Sequence, residues 1–202
     1  MISFAEYPLP AVLLLKPGRL LLPQRWGHGA ADIPEAGLDW TGDGQVVFSA
    51  GMKPSGYDLD WRGQSEFAAE LWRRNVVECF LGNPENGHYL EIHLAPNGQW
   101  WACVFTAPRV APAPAGHPFP LSLVDHRQTG DGEWWEASVS VPAEVVCGLL
   151  GAQSFLSLRG NLTALSYSAP GGPCDYFSLT VLPGEKPDYH QPGAWLPLQP
   201  AQ

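Results

Sequence analysis

Residues 88–106 read HYLEIHLAPNGQWWACVFT, and this stretch decides the fold. Two runs rich in β-branched and aromatic residues flank Asn97-Gly98, a dipeptide that readily adopts the positive φ angles of a tight β-turn. The sequence therefore predicts an antiparallel hairpin, with strands at His88–Ala95 and Gln99–Thr106.

The first strand of this hairpin has two unlike faces. Side chains alternate across a strand, so Leu90, Ile92 and Leu94 share one face, which is wholly apolar and is predicted to be core. The opposite face carries Tyr89, Glu91 and His93.

The rest of the chain repeats this pattern of short apolar or aromatic runs between turn residues. The 22 Gly and 21 Pro residues are spread along the sequence as punctuation rather than gathered in a linker. Further strands are predicted at Gln45–Ala50, Tyr57–Trp61, Asn75–Gly82, Leu121–Arg127, Glu133–Val141, Ser154–Asn161 and Tyr176–Leu182.

Helical patterns are short and confined to two connecting segments. Ser65–Leu71 begins with a Ser N-cap, and Pro142–Leu150 has Pro at a plausible first helical position. The fold class is therefore all-β, and we expect an antiparallel, jelly-roll-like β-sandwich of about nine or more strands with one or two short helices. The length of 202 residues favours one domain over residues 1–202.

Composition and charge exclude several functions. With 45% hydrophobic and 15% charged residues the chain is not a disordered acidic protein, and a net charge of −9 disfavours nucleic acid as a partner. The four cysteines form no C-x-x-C pair and are expected to be free thiols. The apolar run at residues 11–15 is too short for a signal or membrane segment, so we expect a cytoplasmic protein with no membrane partner.

The alternation places unusual polar groups on one face of several strands. Carboxylates, amides, imidazole and guanidinium offer in-plane hydrogen bonds to hydroxyl groups, and an aromatic ring packs on the C–H face of a sugar. This pattern favours a saccharide or cell-wall fragment as the ligand over a merely solvated sheet surface. The candidate ligand-binding residues are Trp72, Glu78, Tyr89, Glu91, His93, Arg159, Asn161 and Tyr176.

Catalysis and metal binding are weaker alternatives. Glu78 and Glu91 could form a glycosidase pair, but an open sheet face rarely excludes enough water to raise the pKa of an acid, so we expect no enzyme activity. His88 points away from Glu91 and His93, which leaves two metal ligands where three or four are needed, so neither a metal nor another cofactor is expected. The Pro-rich segment Ala107–Pro120 is predicted to be an exposed loop without chemistry.

Several motifs in order resemble a known family. They are LWRRNVVECFLG at residues 71–82, YLEIHLAPNGQW at 89–100, SF at 154–155 with RGN at 159–161, YFS at 176–178, and PDYHQP at 187–192. The sequence from about Trp61 to Leu198 resembles the DOMON-like domains related to family 9 carbohydrate-binding modules, many of whose bacterial members have no assigned ligand.

The resemblance implies a β-sandwich whose ligand lies on the concave sheet. Trp72 and Glu78 match sugar-contacting positions of the family, and Arg159 and Asn161 match the polar pair of its late strand. The position of the family's second clamping tryptophan falls at Ala164 or a near neighbour. A protein partner or a heme-like group on the same face is the alternative, since other DOMON branches bind heme through Met and His.

The sequence offers little for a heme site, and it leaves the oligomeric state and the identity of the ligand open. Its only methionines are Met1 and Met52, and Met52 is predicted to lie in a Gly/Pro loop. His190, within the PDYHQP motif, is expected to serve structure by tying the C-terminus to the sandwich.

Overall fold

A computed structural model describes residues 2–3, 10–27, 32–53, 66–111, 122–129, 133–169 and 171–201. The strand predicted at Tyr57–Trp61 lies outside these residues. The described chain is mostly β-strand, as the sequence predicts. The strands are β1 Ile2–Ser3, β2 Leu13–Leu15, β3 Leu20–Leu21, β4 Gln24–Trp26, β5 Glu35–Trp40, β6 Gln45–Met52, β7 Glu66–Phe67, β8 Val76–Gly82, β9 Tyr89–Leu94, β10 Gln99–Phe105, β11 Ser122–Thr129, β12 Trp134–Pro142, β13 Arg159–Tyr167, β14 Cys174–Ser178 and β15 Leu196–Pro200.

The strands form a continuous curled sheet in the order β11-β12-β6-β5-β2-β15-β13-β8-β9-β10-β7. Most neighbours are antiparallel, but β2 pairs in parallel with both β5 and β15, and β7 pairs in parallel with β10. The sheet is therefore mixed and not purely antiparallel as predicted. Each parallel pair contains at least one strand of only two to three residues, namely β2 or β7. Such strands are too short to show an alternating pattern in the sequence.

The β9–β10 hairpin forms as predicted. Leu94 pairs with Trp100 and Tyr89 with Phe105, and Gly98 adopts φ +84° in the turn. The Asn97 side chain accepts a hydrogen bond from the Gln99 backbone N–H at 3.1 Å, which stabilises the turn. This hairpin fixes the faces of the strands around it.

One face of β8, β9 and β13 packs into the main core. Ile92 is 1% exposed, and it belongs to a cluster that also contains Phe48 of β6 and Trp135 of β12. Strands from the two ends of the sheet order thus enclose a common apolar interior. We call the side of these strands that contributes to it the core face: Val77, Cys79, Leu81, Leu90, Ile92, Leu94, Leu162 and Ala164.

Helices are few among the described residues. The helix α1 spans Ala143–Leu150, as predicted, with Pro142 at its N-cap. The predicted helix at Ser65–Leu71 is wrong in its described part, because Glu66–Phe67 pairs with β10 and only a 3₁₀ turn at Leu71–Arg73 follows. Across the described ranges no helix has the length and apolarity needed to cross a membrane.

The opposite side of these strands is also covered. A second apolar cluster includes Phe80, Tyr89 and Phe105 from the strands. It also includes Tyr189 and Trp195 from residues 187–195, which precede β15 and which we call the C-terminal segment. We call this side the cavity face and define it by Glu78, Phe80, Tyr89, Glu91, His93, Trp101, Cys103, Phe105 and Thr163. The open sheet face expected from the sequence is thus replaced by a partly enclosed space.

Candidate functional site

A cavity of about 560 Å³ opens between the cavity face and the C-terminal segment. Its volume lies within the range of about 300–1,000 Å³ that is common for small-molecule sites. Aromatic rings dominate its walls and a few ionisable groups lie at its base. The lining residues are Ala69, Glu70, Trp72, Glu78, Phe80, Glu91, His93, Trp101, Phe105, Arg109, Leu165, Tyr176, Pro187, Tyr189 and His190.

The floor of the cavity is formed by Glu78, Glu91 and His93. Glu78 and His93 are direct cross-strand partners, and Glu91 lies two residues before His93 on the same face. The His93 Nε2 atom is 2.5 Å from Glu91 Oε1 and 3.2 Å from Glu78 Oε1. One imidazole nitrogen therefore lies between two carboxylates.

All three floor side chains are nearly removed from water, with side-chain exposures of 3% for Glu78, 7% for Glu91 and 1% for His93. Burial raises the pKa of Glu78 to about 7, and the charge of Glu91 adds to the rise, while His93 opposes it. Burial alone would lower the pKa of His93, but the two carboxylates outweigh burial and raise it. The floor thus holds a proton more readily than isolated side chains do.

Two further contacts define how the floor is oriented. The Thr163 hydroxyl donates to Glu78 Oε2 at 2.7 Å, which directs the other carboxylate oxygen toward His93. Among the described residues, Glu91 Oε2 and His93 Nδ1 are buried without a hydrogen-bond partner. Buried polar atoms are rarely left unpaired, so an unpaired carboxylate oxygen at a cavity floor points to a missing donor.

The rim is organised by the Tyr89 hydroxyl. This hydroxyl accepts from the Arg109 backbone N–H at 3.0 Å and lies 2.7 Å from His190 Nδ1. Burial lowers the pKa of His190 and so favours its neutral ring. The Nδ1 atom of a neutral ring can accept a hydrogen bond from the Tyr89 hydroxyl. The Arg109 guanidinium pairs with Asp188 at 2.7 Å and ties the 107–111 turn to the C-terminal segment.

Trp72 lies at the mouth of the cavity and is 49% exposed. It occupies the 3₁₀ turn Leu71–Arg73, and the Arg73 guanidinium lies 4.8 Å from its ring centroid. A half-exposed indole beside an aromatic-walled cavity is suited to stacking on a ligand.

The structure brings five of the eight predicted site residues to this cavity: Trp72, Glu78, Glu91, His93 and Tyr176. Tyr89 is fully buried behind the wall and reaches the rim only through its hydroxyl group. Arg159 and Asn161 do not line the cavity.

Register explains why Arg159 and Asn161 lie elsewhere. Arg159 pairs with Gly82 at the far end of β8, four residues from Glu78, which corresponds to roughly 13 Å along a strand. Its guanidinium donates to the Trp195 carbonyl at 3.2 Å. Asn161 is fully buried and exchanges hydrogen bonds with the Ser178 hydroxyl. In both cases the side chain stabilises neighbouring segments of the fold.

Sequence reasoning missed several lining residues. Trp101 pairs with His93 across β9 and β10, so the hairpin register could have found it. Arg109 was placed in a loop predicted to lack chemistry, yet it lies at the rim, and His190 lines the cavity besides its structural contact. Ala164 lies on the core face and brings no second ring to the cavity.

The floor also offers one ligand atom each from Glu78, Glu91 and His93, all within 4.8 Å of one another. The sequence indicated only Glu91 and His93 as possible metal ligands, because His88 points away from them. The structure adds Glu78 as a third possible ligand. For heme, Met52 lies at the end of β6 and is buried in the main core rather than in a Gly/Pro loop. It cannot reach the cavity from there.

Comparisons with known proteins rest on structure alone. No family model matches the sequence, and no curated protein matches it either. A candidate carbohydrate-binding protein from Bacteroides uniformis has a TM-score of 0.59 at 13% identity, over 84% of this chain and 78% of that one.

A family 9 carbohydrate-binding module from Caldicellulosiruptor kristjanssonii is similar in both of its solved complexes. In complex with cellotriose it has a TM-score of 0.58 at 7% identity, over 98% of this chain and 91% of that one. In complex with glucose the values are 0.57 and 8%, over 100% and 95%. At such low identity these likenesses show a shared fold alone.

Proposed function

We propose that the protein is a non-catalytic binding domain that takes a saccharide into the cavity. The observation that carries the proposal is the combination of an aromatic wall with a carboxylate and imidazole floor in a space of about 560 Å³. Saccharides need both elements, because rings pack on their C–H faces and carboxylates accept from their hydroxyl groups.

The unpaired oxygen of Glu91 gives the ligand a defined role. A hydroxyl group that donates to Glu91 Oε2 would satisfy an acceptor that has no partner among the described residues. Burial strengthens such a hydrogen bond, since water does not compete for the carboxylate. Trp72, Glu78, Glu91, His93 and Tyr176 form the proposed site, together with Trp101 at the floor's edge.

The fold comparison is consistent with this proposal. The similar solved structures include a module bound to cellotriose or to glucose. We also infer that the chain is a DOMON-like domain with an antiparallel β-sandwich scaffold, on the basis of its sequence motifs. The parallel pairings then lie at β7, which ends the sheet order, and at β2, which connects β5 to β15.

Binding accounts for the floor better than glycoside hydrolysis does. Hydrolysis requires two carboxyl groups about 5 to 9.5 Å apart on either side of the scissile bond. Here oxygens of Glu78 and Glu91 lie within 4.8 Å of each other and the His93 ring lies between them. The His93 imidazole therefore contacts both carboxylates that hydrolysis would need.

Calorimetric titration with glucose, cellotriose and a wider set of saccharides tests the proposal. Trp72→Ala removes one stacking ring worth about 0.5–1.5 kcal/mol, so affinity should fall roughly 2- to 13-fold. Trp40→Ala is the matched control, because Trp40 is 37% exposed and does not line the cavity. The proposal fails when no saccharide binds, or when both variants change affinity equally.

A further inference from the structure

We propose that Glu78, Glu91 and His93 form a binding site for a divalent transition-metal ion of the Zn²⁺ class at the floor of the cavity. This inference rests on the geometry of the floor and not on the proposed saccharide. It concerns a second ligand of the same cavity, which would compete with a saccharide hydroxyl group for Glu91 Oε2.

The three donor atoms are already gathered. They lie within 4.8 Å of one another, and two of the contacts are 2.5 and 3.2 Å. Zinc binds carboxylate oxygen and imidazole nitrogen at about 2.0–2.2 Å in a tetrahedral arrangement, which places two ligand atoms of one ion roughly 3.3–3.6 Å apart. Rotation of the two carboxylate side chains that moves their oxygens by roughly 1 Å would allow all three donor atoms to bind one ion.

Backbone register holds the donors in place. Glu78 and His93 pair directly across β8 and β9, and Glu91 pairs with Phe80 two residues farther along the same strands, on the same face. The Thr163 hydroxyl donates to Glu78 Oε2, which is the outer-shell contact that orients a carboxylate ligand. A site built on paired strands needs little reorganisation to bind an ion.

Charge and the unpaired oxygen also favour a cation. Two carboxylates balance one divalent ion, and in the described part of the chain no Lys or Arg lies within 4.0 Å of either carboxylate. Glu91 Oε2 is buried without a hydrogen-bond partner, and His190 Nδ1 lies 3.9 Å from it. This oxygen is available to a metal ion.

The donor set selects the class of ion. Ca²⁺ and Mg²⁺ prefer six or more oxygen ligands, whereas a set of one nitrogen and two oxygens suits zinc. Three protein ligands leave the fourth position open toward the cavity, where water or a ligand hydroxyl group can bind. His93 Nδ1 has no partner among the described residues, and lack of such an anchor typically costs roughly 10- to 100-fold in affinity.

Titration of chelator-treated protein with ZnCl₂, followed by calorimetry, tests this site. We expect one ion per chain, no comparable binding of MgCl₂, and at least a tenfold loss of zinc affinity in Glu91→Gln and in His93→Gln. His88→Ala should stay within twofold of the wild type, because His88 precedes β9 and is not among the floor donors.

Further measurements distinguish loss of zinc binding from loss of folding, and the zinc site from the proposed saccharide site. Circular dichroism shows whether each variant folds, and the visible spectrum of Co²⁺-loaded wild-type protein reports nitrogen and oxygen ligation without any variant. The inference is overturned if the wild type does not bind zinc or if Glu91→Gln leaves the zinc affinity unchanged. It is also overturned if His88→Ala loses as much affinity as the floor variants. Saccharide titration in the presence of chelator tests the proposed function independently.

Discussion

The two faces of β9 are made by one six-residue strand, yet they serve opposite purposes. Leu90, Ile92 and Leu94 are apolar and enter the main core, whereas Tyr89, Glu91 and His93 lie on the cavity face. All six residues are buried. Burial alone therefore does not mark core, and the chemistry of the buried groups separates a purely apolar packing surface from the lining of a cavity with an ionisable floor.

The core face should respond to truncation with the largest loss of stability. Ile92 is 1% exposed, and Ile92→Ala leaves a cavity between the sheets that should cost about 2–5 kcal/mol. Urea denaturation monitored by circular dichroism measures this. Any folded Ile92→Ala protein should keep the ligand affinity of the wild type, and a specific loss of affinity without loss of stability would break the distinction between the faces.

The cavity face should respond to pH. The pKa of Glu78 is raised from 4.5 to about 7 by burial, so the native state holds a proton that the unfolded state has lost across this interval. Stability is therefore greatest below pH 4.5 with respect to this group and falls by up to about 3 kcal/mol as the pH rises to 7. The raised pKa of His93 acts in the same direction above pH 6.5.

Glu78→Gln sharpens this comparison because it removes the charge but keeps the shape. The variant should gain stability relative to the wild type as the pH increases from 5 to 8 in chelator-containing buffer. The difference between the two urea midpoints measures the effect of Glu78 together with its coupling to Glu91 and His93, since carboxylates remote from the floor contribute equally to both proteins. If the stabilities of the two proteins varied with pH in parallel, burial would not have raised the pKa of Glu78.

Thr163→Val should have a smaller effect on the same group. The hydroxyl donates to Glu78 Oε2, and its loss leaves a buried carboxylate oxygen unpaired at a cost of about 1–3 kcal/mol once Glu78 is ionised. The loss should be visible at pH 8 and nearly absent at pH 5, as measured by thermal unfolding. Equal destabilisation at both pH values would indicate a packing defect.

Alternation within strands was enough to predict part of this site. The pattern placed Glu78, Glu91 and His93 on one face. The Asn97-Gly98 turn fixed the register of Glu91 and His93 against β10, whereas Glu78 joins them through the pairing of β8 with β9. Local sequence carries such information because strand period and turn geometry are local properties.

The remaining features depend on contacts between distant segments. The C-terminal segment closes the cavity through Pro187, Tyr189 and His190, and no local pattern predicts this contact. Arg159 matches a binding motif, but Trp195 engages its guanidinium. The strand predicted at Ser154–Asn161 begins later, at Arg159, because residues 155–157 form a 3₁₀ turn. Short strands such as β2 and β3 have too few residues to show a period.

A ¹⁵N NMR titration with cellotriose tests most directly whether the cavity face is the binding surface. The indole signals of Trp72 and Trp101, which line the cavity, should shift progressively as cellotriose is added. The indole signals of Trp40 and Trp135, which lie outside it, should stay in place. Absence of any shift, or shifts confined to Trp40 and Trp135, would contradict the account.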